Sequence, residues 1–393
     1  MSDYKYLIIG GGMAADAAAK GIRSVDPIGS IGMISAESNP PYKRPPLSKG
    51  LWRNRPFDSI FLKTEEKGVS LHLGRTAAAL DASSKTVTDD AGDVYSYEKL
   101  LIATGGDPRK LDFQSDRLLY YRFADDYLRL RDFCENSSDF VVIGGGFIGT
   151  EVAAALAMNG KKVTVIYPEP AVGARIYPMD IAEYLVDYFR KNGVDMLGGE
   201  SIANISDKNG RISISLHSGK EIAADCAVAG IGLNLNTVLA ADAGLPVENG
   251  IKVDEFLAAG HPDIFAAGDV AQFYNPVLDK WLRPEHEDNA LRMGETAGKN
   301  MAGQKNAYHH LPFFYSDLFD VGYEAVGELD PNLEIFADWK SPYEEGVIYY
   351  LKNGRVRGVL LWNVWDRIDE ARSIIAETGP FSTENLKGRI TAD

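Results

Sequence analysis

Twice along this chain an apolar strand breaks into glycines and runs straight into a helix of small residues. The first copy reads Tyr6-Leu7-Ile8-Ile9-Gly10-Gly11-Gly12-Met13-Ala14-Ala15, and the second Phe140-Val141-Val142-Ile143-Gly144-Gly145-Gly146-Phe147-Ile148-Gly149. Glycines in such a turn let the backbone come close to a pyrophosphate, and the helix that follows sets the positive end of its dipole beneath it. One copy also arises from strand-to-helix packing alone. Two copies, each in full strand, turn and helix context, point to a pair of nucleotide-binding α/β units. One such site holds one dinucleotide; two redox dinucleotides in one chain imply electron transfer between them.

The remaining bounds are broad. A length of 393 residues suffices for two to three domains with a large core. The net charge of -15, from 41 Lys+Arg against 56 Asp+Glu, argues against nonspecific binding to nucleic acid or anionic membrane, both of which need a basic face. Met1 to Tyr6 carries no charged and apolar targeting region, and no apolar run reaches membrane-spanning length, so the expected location is cytoplasmic. Cys134 and Cys226 lie far apart and outside any Cys-x-x-Cys spacing; they read as small core or surface residues rather than as chemistry. No metal site is expected.

Along the chain, Ser30 to Ser35 reads as the second strand of the first unit. The proline-rich stretch Asn39 to Pro46 follows, and its rings forbid a regular helix and favour an extended, stiff segment. Leu100 to Gly106 is a buried strand ending in a glycine turn. A second unit runs roughly from Leu118 to Ala240, with its own second strand at Lys162 to Tyr167. Pro262 to Asp269 then reads as a strand that delivers an aspartate to a loop, and Glu287 to Met301 has helical composition. From about Tyr308 the pattern changes to short alternating strands such as Gly346 to Leu351 and Val356 to Trp362, joined by the hairpin signal Lys352-Asn353-Gly354-Arg355. Ile368 to Glu377 closes the chain as a short amphipathic helix. Because Gly268-Asp269 comes far beyond the second glycine loop, the first domain is expected to be discontinuous, with the second inserted into it.

The segments Pro41 to Lys49, Ala103 to Gly106, Gly144 to Glu151 and Ala266 to Asp269 resemble the FAD-dependent pyridine nucleotide-disulfide oxidoreductase superfamily, in the branch that holds ferredoxin reductases and apoptosis-inducing factor. Ser316 to Glu324 and Leu361 to Asn363 resemble the apoptosis-inducing-factor side of that branch, and the similarity covers almost the whole chain. The resemblance implies an α/β fold of two Rossmann-like domains plus a C-terminal α+β domain. The FAD-binding domain takes 1-115 and 241-306, the NAD-binding domain 116-240, and the C-terminal domain 307-393.

For FAD, the resemblance implies contacts from Gly10, Gly12, Ala15, Arg44, Lys49, Ala77, Thr104, Gly105, Arg122, Gly268, Asp269, Glu285, His286 and Tyr315. The acid that holds the adenosine ribose falls at Ala36 in this chain, and the neighbouring Glu37 takes its place. Tyr315 stands where apoptosis-inducing factor has tryptophan. For NAD the implied contacts are Gly144, Gly146, Phe147, Ile148, Gly149, Glu169, Arg175, Gly232, Glu324 and Asn363. Glu169 comes just after the second strand of its unit, where a carboxylate accepts both ribose hydroxyls and repels a 2′-phosphate, which favours NADH. Four residues take catalytic roles by resemblance: Lys49 close to the isoalloxazine, Glu151 as its partner, Phe147 as an aromatic gate, and His286 in an acid-histidine pair with Glu285.

The implied activity is oxidation of NADH through FAD with onward transfer to an external acceptor such as a ferredoxin-like protein or a quinone. With no cysteine pair to serve as a disulfide relay, electrons are expected to leave the flavin directly. Two other readings stay open: an NADH-sensing redox interaction protein with slow turnover whose NADH-bound form makes a homodimer or recruits a partner, and an NADH oxidase that uses dioxygen.

Overall fold

The computed structural model describes residues 2–391, and the chain divides into two compact units. The first takes the chain up to Arg44, Pro56–Asp107 and Asn234–Pro312. The second takes Pro45–Arg55, Pro108–Leu233 and the chain from Phe313.

The first unit is built on a parallel sheet in the order Ile264–Ala266, Val94–Ile102, Ser2–Ile9, Ile31–Ser35, Val69–Leu73. Leu7, Ile8, Met33, Leu100, Leu101 and Ile264 are all fully buried, as parallel strands covered on both faces require. The strand Ile264–Ala266 pairs in parallel with Val94–Ile102, so a late segment of the chain completes the sheet begun at the N-terminus. Two antiparallel strands, Ala77–Asp81 and Thr86–Asp89, lead into Val94–Ile102. The helix Met13–Arg23 crosses Glu287–Met301 at close range. A Cβ on Gly294 or Gly298 would lie 2.3 or 2.1 Å from the carbonyl oxygens of Ala14 and Ala18, so these small residues set the approach of the two helices.

The second unit repeats the plan with the parallel order Val194–Gly198, Lys162–Tyr167, Asp139–Ile143, Cys226–Ala229, Leu118–Tyr120. The helices Phe147–Met158 and Met179–Lys191 pack on it. A three-stranded antiparallel sheet, Ile202–Lys208, Arg211–Leu216 and Glu221–Ala224, lies beside it in sequence. The C-terminal part is an antiparallel sheet in the order Phe313–Leu318, Val321–Gly327, Arg355–Trp362, Glu345–Lys352, Glu334–Ser341, backed by the helix Ile368–Ala376. The expected fold class, two Rossmann-like domains with a C-terminal α+β part, is the one observed.

The hairpin at Lys352 to Arg355 turns through Asn353 and Gly354, both left-handed at φ 53° and 72°, the pair that a tight two-residue turn demands. The proline-rich stretch differs from expectation. It is not extended to its end: Pro45–Leu47 closes a 3-10 turn and Gly50–Arg53 a second. Proline presets the φ of a first helical turn and gives up no hydrogen bond there, so a short turn suits it as well as an extended strand. Among the described residues no helix is long and apolar enough to cross a membrane.

Candidate functional site

The two glycine loops match down to their hydrogen bonds. Gly10 N–H donates to the Ile34 carbonyl at 2.8 Å, and Gly144 N–H to the Ile166 carbonyl at 2.9 Å, each reaching the end of the second strand of its unit. Gly10 and Gly144 sit at φ +119° and +114°, and a Cβ would lie 2.1 Å from the Ala103 carbonyl oxygen in one and 2.4 Å from that of Gly230 in the other. Conformation and packing both require glycine there.

Gly12 and Gly146 are different. They cap the helices Met13–Arg23 and Phe147–Met158 from the extended region, at φ -90° and -86°, which any residue adopts. No atom lies within 4 Å of the position of a Cβ on either. Neither backbone nor packing explains glycine at these two positions, whereas an anion seated on the helix N-terminus does, because a side chain would fill its place. Neither helix has a side-chain cap, which leaves first-turn N–H groups to such a ligand. Both cradles therefore fit a dinucleotide pyrophosphate. Ala15 and Gly149 occupy the third position, buried in both units; a Cβ on Gly149 would lie 2.0 Å from the Gly144 carbonyl oxygen.

Arg44, Gly268 and the turn at Ala103-Thr104 lie against the first loop. Arg44 N–H reaches Met13 Sδ at 3.4 Å, and a Cβ on Gly268 would touch Ala14 at 2.9 Å. Glu37, just past the second strand, is held by both oxygens: Arg44 donates to Oε1 at 2.6 Å and the Tyr42 hydroxyl to Oε2 at 2.5 Å. Thr104 Oγ1 donates to the Asn236 carbonyl at 2.8 Å, and Asn236 N–H to the Gly105 carbonyl at 3.0 Å, which fixes that turn. Ala77 opens the strand Ala77–Asp81 and packs against the core of the unit. Arg283 donates to Glu285 at 2.7 Å and to the Asp269 carbonyl at 3.2 Å.

His286 is part-buried. Burial pushes its imidazole down to about 4, against the opposing charges of Asp269 and Asp288, so it is neutral near pH 7. The folded value lies below the ordinary 6.5, so between those values the unfolded chain binds the proton first. Stability is then retained above pH 6.5 and declines as pH falls toward about 4. Denaturant midpoints of His286→Gln measured across that window should show a flatter pH dependence than the parent; parallel curves would contradict this placement of the imidazole.

The second unit gathers the NAD residues and three that resemblance linked to FAD, namely Lys49, Arg122 and Tyr315. Glu169 lies beyond the strand Lys162–Tyr167 and pairs with Arg175 at 2.6 Å, where the arginine side chain is 83% exposed. Gly232, at φ +97°, accepts the Arg109 N–H at 2.9 Å. Arg122 precedes the helix Ala124–Asn136, and its N–H donates to Asp126 at 2.9 Å. Glu324 has a buried Oε2 with no hydrogen-bond partner, and burial raises its pKa. Asn363 spends its carboxamide inside the C-terminal sheet: Oδ1 accepts the Gly322 N–H and Nδ2 donates to the Glu344 carbonyl, both at 2.7 Å. Phe147 meets Phe314 edge-on at 5.2 Å, and Ile148 is 39% exposed beside it.

Lys49 and Glu151 form a largely buried ion pair. Glu151 is 3% exposed; its Oε1 pairs with Lys49 Nζ at 2.7 Å and accepts the Ser316 hydroxyl at 2.6 Å, while Oε2 accepts the Ser48 hydroxyl at 2.6 Å. The ammonium also lies 5.1 Å from the centre of the Tyr315 ring. Ser48, Ser316 and Tyr42 were not among the residues singled out in the sequence. All three lie in or beside quoted segments; Tyr42 finds its partner Glu37 only five residues away, whereas the carboxylate that the two serines share lies 103 and 165 residues from them, where no spacing rule reaches.

Two matched pyrophosphate cradles in one chain define a protein of two dinucleotide-binding α/β units. The model of the pyridine nucleotide-disulphide oxidoreductase family matches residues 4–294, and that of the apoptosis-inducing factor C-terminal domain matches 297–342 and 336–377. The chain is 34% identical to apoptosis-inducing factor 1 of Dictyostelium discoideum, over 95% of its own length and 79% of the relative's. It is 32% identical to monodehydroascorbate reductase 3 of Arabidopsis thaliana, over 98% and 94%. Among solved structures it resembles putidaredoxin reductase in its covalent complex with putidaredoxin, at TM-score 0.91 and 28% identity over 98% of this chain and 96% of that one. The ferredoxin reductase for the CYP199A2 system of Rhodopseudomonas palustris gives 0.89 and 28%, over 97% and 96%. The chain belongs to the pyridine nucleotide-disulphide oxidoreductase family and is an FAD-dependent NAD(P)H oxidoreductase.

Proposed function

We propose that this enzyme oxidises NADH in preference to NADPH and passes the electrons from FAD to an external acceptor, a small iron-sulfur protein or a quinone. The observation that carries the reading is the pair of open cradles at Gly12 and Gly146, one for each dinucleotide. FAD, when bound, supplies a hydride acceptor that can release electrons one at a time, and the remaining work is positioning and charge. Gly10, Gly12 and Ala15 would seat the FAD pyrophosphate, with Glu37 toward the ribose and Asp269 toward the ribityl chain. Gly144, Gly146 and Gly149 would seat that of NADH. Glu151, with its two serine donors, holds the Lys49 ammonium in one direction as a fixed cation. His286, neutral above about pH 4, offers one donor and one acceptor nitrogen.

An external acceptor is favoured over a thiol relay by the state of the two cysteines. Burial raises Cys134 to about 11 and Cys226 to about 12, so neither is a thiolate near neutral pH. Both are free, which suits a cytoplasmic setting. Relatives named for putidaredoxin and for monodehydroascorbate support both a protein and a small-molecule acceptor. A panel of iron-sulfur proteins, quinones and dioxygen, each offered to the yellow protein with NADH, tests the proposal: one acceptor should turn over far faster than dioxygen. The C-terminal match to apoptosis-inducing factor supports a second reading as a slow NADH sensor that dimerises. That reading requires reduced protein that persists in air together with a doubled mass.

Nucleotide choice is testable at one residue. Glu169→Ala should narrow the preference for NADH over NADPH at least tenfold in kcat/KM, because the carboxylate that accepts the ribose hydroxyls and repels a 2′-phosphate is gone while Arg175 stays. An unaltered ratio would assign the ribose to another group.

A further inference from the structure

The second unit contains a run of aromatic rings that the proposed reaction does not use. Phe314, edge-on to Phe147, meets Tyr323 at 6.3 Å between ring centres. Tyr323 stacks on Trp362 at 5.9 Å and 5°, Trp362 meets Tyr184 at 6.4 Å, and Tyr184 stacks on Tyr343 at 5.1 Å and 12°. The inner end begins at the first residue of the second nucleotide helix. Tyr323 and Trp362 are fully buried, whereas Tyr184 and Tyr343 reach the surface.

Core packing accounts for contact among these rings. It does not account for the polar arrangement at the outer end, where the Tyr343 hydroxyl donates to exposed Asp180 at 3.3 Å. A tyrosine loses its phenolic proton when it is oxidised, so a phenol beside a water-connected carboxylate is where an oxidising equivalent comes to rest. Tyr323 is the opposite case: its ring is fully buried and burial pushes its phenol far up, so it keeps its proton and serves as a bridge that is not itself oxidised. Trp362 lies between them, and an indole gives up an electron without first losing a proton. Electron exchange falls off exponentially with distance, so short steps between neighbouring rings outpace one long jump.

We propose that Tyr323, Trp362, Tyr184 and Tyr343 form a hole-transfer path that carries one-electron oxidising equivalents from beside the second nucleotide site to the protein surface. The oxidant is an organic alkoxyl or peroxyl radical. It takes one electron from Trp362 across the Tyr323 ring, which is not itself oxidised, and one proton from water, and becomes an alcohol or hydroperoxide with release of hydroxide, leaving Trp362 as the radical cation. Tyr343 refills Trp362 across the stacked Tyr184 ring, which is not itself oxidised, its phenolic proton passing to Asp180 and leaving a neutral phenoxyl at the surface. A dissolved one-electron reductant then restores Tyr343, with the proton returning from Asp180. The path rests on the proposed function only in that such radicals arise where electrons are handed on.

The test places an oxidant at the inner end. Ile148→Cys in a Cys134→Ser background, labelled with a ruthenium polypyridine sensitiser, is flashed in the presence of hexaammineruthenium(III). A tyrosyl radical should appear, and Tyr343→Phe should cut its yield at least fivefold and leave a longer-lived tryptophan radical. Tyr184→Leu, which removes the bridging ring and keeps the Tyr343 hydroxyl with Asp180, should also lower the tyrosyl yield, by less because the Trp362 indole N–H still donates to the Tyr343 carbonyl at 2.9 Å. Tyrosyl yields equal to the parent's in both variants would overturn the path. Unlabelled Tyr343→Phe should keep the parent's rate of NADH oxidation, so the failure of this proposal and of the oxidoreductase reading are told apart.

Discussion

Gly146→Val should remove NADH binding from a protein that remains folded and yellow. Valine favours the extended backbone that Gly146 already has, and its Cβ would meet no atom within 4 Å, so nothing in the protein resists it. The loss of a glycine helix cap costs at most about 1 kcal/mol. The valine methyls, however, fill the space above the first-turn N–H groups, where a pyrophosphate would sit. A weakening of NADH binding by at least 100-fold is expected, about 2.8 kcal/mol. FAD should remain, because the proposed seat of its pyrophosphate is the first loop. Gly144→Val, two residues earlier, should behave in the opposite manner: at φ +114° with the Gly230 oxygen 2.4 Å from its Cβ, it should fail to fold. Equilibrium NADH titration and thermal melts of the two variants check the pair. Undiminished NADH binding by folded Gly146→Val would mean that the space at this helix end is not a phosphate cradle.

Lys49→Met should cost both stability and rate. Removal of the ammonium leaves the Glu151 carboxylate, 3% exposed, with only the Ser48 and Ser316 hydroxyls. Breaking a buried ion pair from one side costs about 3–5 kcal/mol, and the two remaining donors put this case at the lower end. The double variant Lys49→Met/Glu151→Met should recover much of the loss, since no uncompensated charge is then buried. Reduction of bound flavin by NADH in the single variant should slow tenfold or more, about 1.4 kcal/mol of barrier, with FAD retained. Denaturant unfolding and anaerobic stopped-flow measure the two effects. A single variant as stable and as fast as the parent would take the pair out of both fold and mechanism.

What could be read in the sequence was what is encoded locally. The strand, glycine and helix runs at Tyr6 to Ala15 and Phe140 to Gly149 carry their periodicity and their turn chemistry within ten residues, and the structure forms both as expected. Asn353-Gly354 likewise demands its own turn. The serine donors of Glu151 were not readable in this way. They come 103 and 165 residues away from it, and a serine has no periodicity that would mark it as the partner of a distant carboxylate. The same holds for the bonds that Asn363 makes with the Gly322 N–H and the Glu344 carbonyl, 41 and 19 residues away. The proline stretch was misread because proline excludes a helix interior but not a single turn, and Pro45–Leu47 forms one.

The central claim, one flavin in the first cradle reduced by NADH from the second, is tested most directly by anaerobic titration of the purified protein with NADH while the visible flavin absorbance is followed. One equivalent of NADH per flavin should bleach that absorbance, and Gly146→Val should need far more. A preparation that takes up no FAD, or one whose bound flavin is unchanged by excess NADH, would contradict it.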